Sequence, residues 1–186
     1  MKRALLSLKL AAVVVVIITT SSRSVFAASP TISQELVENK KTVYELPETG
    51  MILPNNPLFH LKRLRDETTL ALSHGQDRAK LLIQLADRYT SYGQKMTKMN
   101  KPQSAFSLFE QSIYYQEELA ATLKKLNKEN SATNEDICYK AIQSNIKQAE
   151  VIRGTLDDLS ASDQAALAKI LEKNIGARKL LEICDK

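Results

Sequence analysis

The stretch Cys138 to Cys184, CYKAIQSNIKQAEVIRGTLDDLSASDQAALAKILEKNIGARKLLEIC, decides the fold. Its first half carries Cys138, Ile142, Asn145, Ala149, Ile152, Leu156 and Leu159, and its second half Leu167, Ile170, Asn174, Ala177, Leu181 and Cys184, at alternating steps of three and four. That period lines one face of a helix, whereas a strand would repeat every second residue. Turning the chain at Ser160-Ala161-Ser162 sets Leu156 against Leu167, Ile152 against Ile170, Ala149 against Asn174, Asn145 against Ala177, Ile142 against Leu181 and Cys138 against Cys184. The reading is an antiparallel helical hairpin over residues 133–186 with its two cysteines level at the open end. A structural disulfide follows, since neither cysteine has a CxxC partner, a nearby histidine or a helix start that would activate a thiol. Closing a loop with 45 residues between the cysteines is worth about 4 kcal/mol by chain entropy.

The same period extends upstream. Leu82, Leu85, Tyr89, Tyr92, Met96 and Met99 form a stripe that continues in Ala105, Phe109, Leu119, Leu123 and Leu126 after the break at Asn100-Lys101-Pro102. Folding at that break sets Tyr92 beside Phe109 and Leu82 beside Leu119. A shorter helix precedes this pair, opened by Asn56-Pro57 as cap and first turn and closed by His74-Gly75. Its Leu58, Leu61 and Leu64 are expected to dock on the next hairpin. The remaining helices are expected over about Asp77–Met99, Pro102–Asn127, Asn134–Leu159 and Asp163–Cys184. The fold class is therefore all-α, a five-helix bundle of antiparallel hairpins, with a three-helix unit at 57–128 ahead of the C-terminal hairpin.

Residues 1–27 read as a signal peptide. A basic start with Lys2, Arg3 and Lys9 precedes the apolar run Leu10 to Ile18, and Val25-Phe26-Ala27 offers small residues for cleavage after Ala27. The rival is a retained anchor from Ala4 to Thr20, interrupted by Ser7 and Lys9. No cysteine stands near the cleavage position, which argues against a lipoprotein. Residues 28–56 read as an extended arm broken by Pro30, Pro47, Gly50 and Pro54; its Tyr44, Leu46, Met51, Ile52 and Leu53 are expected to pack partly on the helices. The expected location is extracytoplasmic, in a periplasm or at a cell surface. The net charge of +5 does not point to nucleic acid, because Lys2, Arg3, Lys9 and Arg23 precede Ala28 and leave 22 basic against 21 acidic residues behind them.

Few motifs carry chemistry. Leu46-Pro47-Glu48-Thr49-Gly50 matches the signal that sortases cut, but 136 residues follow it in place of an apolar stop segment and basic tail, so it reads as a chance match. His60 and His74 are the only histidines, fourteen apart on one helix and roughly 21 Å from each other, too far to share an ion. With no HExxH and no calcium-loop ladder, neither a metal nor any other cofactor is expected. A nucleophile with a base and an oxyanion donor cluster is also missing. Surface carboxylates leave a cell-envelope hydrolase open, although acids on a helical surface are ordinarily solvated. The basic cluster His60, Lys62, Arg63 and Arg65 is followed at once by Asp66 and Glu67 and reads as an exposed face. Tyr89, Tyr92, Tyr114 and Tyr115 are the candidate partner face, with one of the adjacent pair Tyr114-Tyr115 expected in the core.

Between Tyr44 and about Leu119 the chain resembles a family of exported bacterial proteins classed as a domain of unknown function (DUF5667). The resemblance lies in Tyr44-Glu45-Leu46-Pro47, in Gly50-Met51-Ile52-Leu53-Pro54-Asn55-Asn56-Pro57-Leu58-Phe59, in Leu61-Lys62 with Leu64-Arg65-Asp66, and in Leu85-Ala86-Asp87-Arg88. It implies a helical extracytoplasmic domain and brings no activity, ligand or active-site residue. Glu48-Thr49 departs from the pattern, in which an aromatic residue and a proline are common. The expected function is non-enzymatic, an extracytoplasmic binding or scaffolding module for an unknown protein or cell-envelope component. A ligand- or metal-sensing helical protein is the alternative, and a membrane is expected as partner only through a retained signal segment.

Overall fold

The computed structural model describes residues 43–50, 52–129 and 134–185; the expected signal peptide with its expected cleavage position, and the arm up to residue 42, lie outside the described residues. Five α-helices follow one another: α1 Phe59–Leu72, α2 Gly75–Lys98, α3 Pro102–Glu129, α4 Glu135–Gly154 and α5 Ala161–Leu180, with a final 3-10 turn over Leu181–Asp185. There is no strand among the described residues. The all-α fold is as the apolar periods require.

Local chemistry sets the helix ends. Asn100 adopts a left-handed φ of 55° after α2. Its N–H donates to the Thr97 carbonyl and the Lys101 N–H to the Met96 carbonyl, both at 2.9 Å. This is the paired closure that satisfies the last carbonyls of a helix, and Pro102 then opens α3 where a missing N–H costs nothing. Gly75, at φ +57°, makes the comparable reversal between α1 and α2. Ser160 caps α5 by accepting from the Asp163 N–H.

Three boundaries differ from the sequence reading. Asn56 accepts the Leu58 N–H at 2.9 Å, but it does so from a turn, and α1 begins two residues later than Pro57. Helix α4 stops at Gly154 rather than Leu159, where the Thr155 hydroxyl turns back to donate to the Ile152 carbonyl at 2.7 Å. Leu156 and Leu159 still reach the core from the connection. Beyond Leu180 the helix tightens to the 3-10 turn that carries Cys184.

Helices α2 and α3 share the most extensive interface, and α4 and α5 pack on them and on each other, so the groups expected at 57–128 and 133–186 share one core. Cys138 and Cys184 are bonded with their Cα atoms 5.5 Å apart. Cys138 near the start of α4 is thus held beside Cys184 beyond the end of α5, while residues 155–160 connect the other ends of the two helices. At Gly93 the α2 backbone meets Phe109 so closely that a Cβ there would lie 2.5 Å from the ring. Helix α1 packs on α2.

The expected docking of α1 through Leu58, Leu61 and Leu64 is corrected: all three are exposed, and the helix buries Phe59, Asp66 and Leu70 instead. Phe59 meets Tyr92 and Tyr89 edge-on, at ring separations of 5.4 and 6.3 Å. Asp66 pairs with Arg88 of α2 at 2.9 Å and with its neighbour Arg65 at 2.8 Å. Phe59 and Leu70 supply the apolar burial that turns this face inward, and the two guanidiniums make the burial of Asp66 between them tolerable, since a buried carboxylate without partners is costly.

Candidate functional site

Two groups of polar side chains stand out, one sealed and one open. The sealed group centres on Asp87 of α2, which is only 2% exposed. Its carboxylate accepts from the Tyr44 phenol at 2.6 Å, from the Ser144 hydroxyl at 2.6 Å and from the Gln148 amide at 3.1 Å. Around it Gln116 donates to Ser144 at 3.1 Å, and Ser112 lies 3.0 Å from the Gln148 carbonyl oxygen and 2.8 Å from Thr90. The result is a polar layer joining α2, α3 and α4 through the middle of the bundle. Burial pushes the Asp87 carboxyl above its ordinary range, and the hydrogen bonds from Ser144, Tyr44 and Gln148 pull part of that back.

Tyr44 belongs to the arm, so the layer also fixes the chain ahead of α1. The Ser91 hydroxyl reinforces this by donating to the Pro47 carbonyl at 2.9 Å. Ile52 and Leu53 add apolar contact with the core. The segment Leu46 to Gly50 is thereby laid along α2, with Thr49 half-buried.

The open group lines a cleft of about 410 Å³ between α1, α2 and α3. Arg63 pairs with Glu67 across one turn of α1 at 2.6 Å. On the other side Arg78 of α2 pairs with Glu118 of α3 at 3.0 Å and also donates to the Leu70 carbonyl at 2.6 Å, closing the end of α1. Tyr114 stands at the rim, 50% exposed, and donates to Glu118 at 2.7 Å, which holds its phenol above the ordinary value. Tyr115 forms the floor.

The four tyrosines read as a partner face do come together. Tyr92 touches Tyr89, Tyr89 touches Tyr115 and Tyr115 touches Tyr114, each edge-on at ring separations of 6.2, 5.4 and 5.8 Å. Tyr89, Tyr92 and Tyr115 are nevertheless buried, so the expected face is corrected to Tyr114 alone. The physical reason is the helical stripe itself: positions 89 and 92 continue the Leu82–Leu85 face that packs α2 on α3, and there an aromatic ring is core material. Burial is the main cause that raises the Tyr89 and Tyr115 phenols.

His60 and His74 are both exposed. Among the described residues no group of three or more His, Cys, Asp or Glu side chains is placed to hold a metal ion. Among the same residues no helix is long and apolar enough to cross a membrane.

The chain belongs to the family described as Domain of unknown function (DUF5667), which matches residues 51–170. The match reaches from the lead-in to α1 into the middle of α5, well past the segment that carries the resemblance in the sequence. No curated protein and no solved structure matches the chain. Asp66 and Arg88 clamp α1 to α2, while Tyr44 and Asp87 clamp the arm to the bundle.

Proposed function

We propose that this chain is a non-enzymatic extracytoplasmic binding or scaffolding module, and that the cleft rimmed by Tyr114 receives a protein partner of the cell envelope. The observation that carries the reading is the make-up of the cleft. A half-exposed tyrosine beside two Arg–Glu pairs is the composition of a protein interface, where tyrosine and arginine supply contact area and paired charges supply orientation. Each carboxylate there already faces a guanidinium, which fits recognition better than proton transfer. The disulfide supports an oxidising compartment.

A photo-crosslinking amino acid at position 114, compared with one at the exposed Tyr139 of α4, tests the reading in native envelopes. One defined adduct from position 114, missing from position 139 and lost in an Arg78→Ala background, is expected. The same adducts from both positions, or none from 114, would remove the cleft from consideration.

A further inference from the structure

We propose that the outward face of α1 is a contact for an anionic membrane surface. Leu61, Leu64 and Leu72 are 65%, 60% and 74% exposed, and Leu58 extends the same face. At 100° per residue Leu61, Thr68 and Leu72 share one line along the helix, flanked by Leu64 on one side and Leu58 on the other. The opposite face, with Phe59, Asp66 and Leu70, is committed to the bundle, so these leucines do not attach α1 to its own fold. A run of exposed leucines on one short helix is a patch that calls for a covering surface.

Charge selects among the surfaces available. Helix α1 carries Lys62, Arg63 and Arg65 against Asp66 and Glu67, and Arg88 of α2 packs against it. Asp66 is shared between Arg65 and Arg88, Glu67 is taken by Arg63, and Lys62 turns back onto the Tyr92 ring, 4.9 Å from its centre. The cationic surplus favours an anionic layer. It disfavours a second copy of the chain, whose α1 would bring the same surplus against itself. Arg65, with its side chain 68% exposed, flanks the leucines where a guanidinium can reach headgroup phosphates while the apolar side chains enter the acyl boundary.

The chain contains no tryptophan, so one introduced indole reports on one place. The full chain carrying Leu64→Trp, with Leu72→Trp as a second reporter should the first fail to fold, is mixed with phosphatidylglycerol vesicles bearing brominated acyl chains. Tyr139→Trp on α4 serves as reference. Depth at α1, and not partition of the protein, is the readout, because an apolar run such as Leu10 to Ile18 can carry a chain onto vesicles whatever α1 does. Expected are a blue shift and loss of emission at position 64, little change at 139, and a weaker effect on phosphatidylcholine or with Arg65→Glu added. Solvent-like emission at 64 on a helical protein overturns the proposal, and so does equal quenching at 139. Equal quenching on the two lipids removes the anionic preference. A blue shift without vesicles that grows with protein concentration assigns the face to a second copy instead.

Discussion

The phenol of Tyr44 and the carboxylate of Asp87 are 43 residues apart in sequence and 2.6 Å apart in space. One hydrogen bond thus joins an otherwise irregular arm to a polar layer inside the bundle. Tyr44→Phe removes the donor and keeps the ring. Because the acceptor is a buried carboxylate and Tyr44 itself is half-buried, a loss of about 1–2 kcal/mol is expected. Urea denaturation measures that loss. Cleavage by a glutamate-specific protease at Glu45 or Glu48 should also become faster; an unchanged cleavage rate would show that Ser91 and the apolar contacts hold the arm alone.

Asp87 gives the protein a pH dependence of definite sign. Burial raises its folded-state pKa above the ordinary value of 3.8, so the folded form binds a proton more readily than the unfolded chain. Its contribution is most favourable below 3.8 and is lost as pH rises through the folded value. In the interval between the two, the wild-type urea midpoint should fall with rising pH relative to that of Asp87→Asn. Parallel midpoints for the two proteins across that interval would contradict the assignment.

The disulfide closes a sequence separation of 46, and its loss through Cys138→Ser with Cys184→Ser should cost about 4 kcal/mol by the chain-entropy estimate. The same decrease should appear on adding reductant to the wild type and be absent from the double variant. A melting temperature indifferent to reductant would show that the unfolded chain gains little freedom from the break.

Gly93→Ala tests the approach of α2 and α3. Alanine is the better helix former by about 1 kcal/mol, yet its methyl would fall 2.5 Å from the fully buried ring of Phe109. We expect the clash to win, with a net loss of roughly 1–2 kcal/mol in urea denaturation. A stabilised variant would mean that the ring has room to move.

The parts of the molecule governed by apolar periodicity could be read from the sequence. Cys138 and Cys184 fell level because the three-four rhythm runs unbroken on both sides of Ser160, and Asn100 before Pro102 marked the reversal between α2 and α3. The polar layer could not be read the same way. Ser144 and Gln148 lie four apart beside Ala141 on a second buried face of α4, and a pattern that scores serine and glutamine as exposed sees only the Ile142–Ala149 seam. Helix α1 misled for a related reason: Leu58, Leu61 and Leu64 suggested a buried face, whereas Phe59, Asp66 and Leu70 form it. Tyr89 and Tyr92 were already part of the core stripe, and that stripe, not their phenols, decided their burial.

The sulfur bridge near the last residue also determines how the molecule carries load. A pull applied at Asp185 passes from Cys184 directly into Cys138 at the head of α4, so tension bypasses α5 and the connection before it. Stretched between its two ends, the protein would extend through its arm and first helices while its final hairpin kept its length until a reductant was supplied.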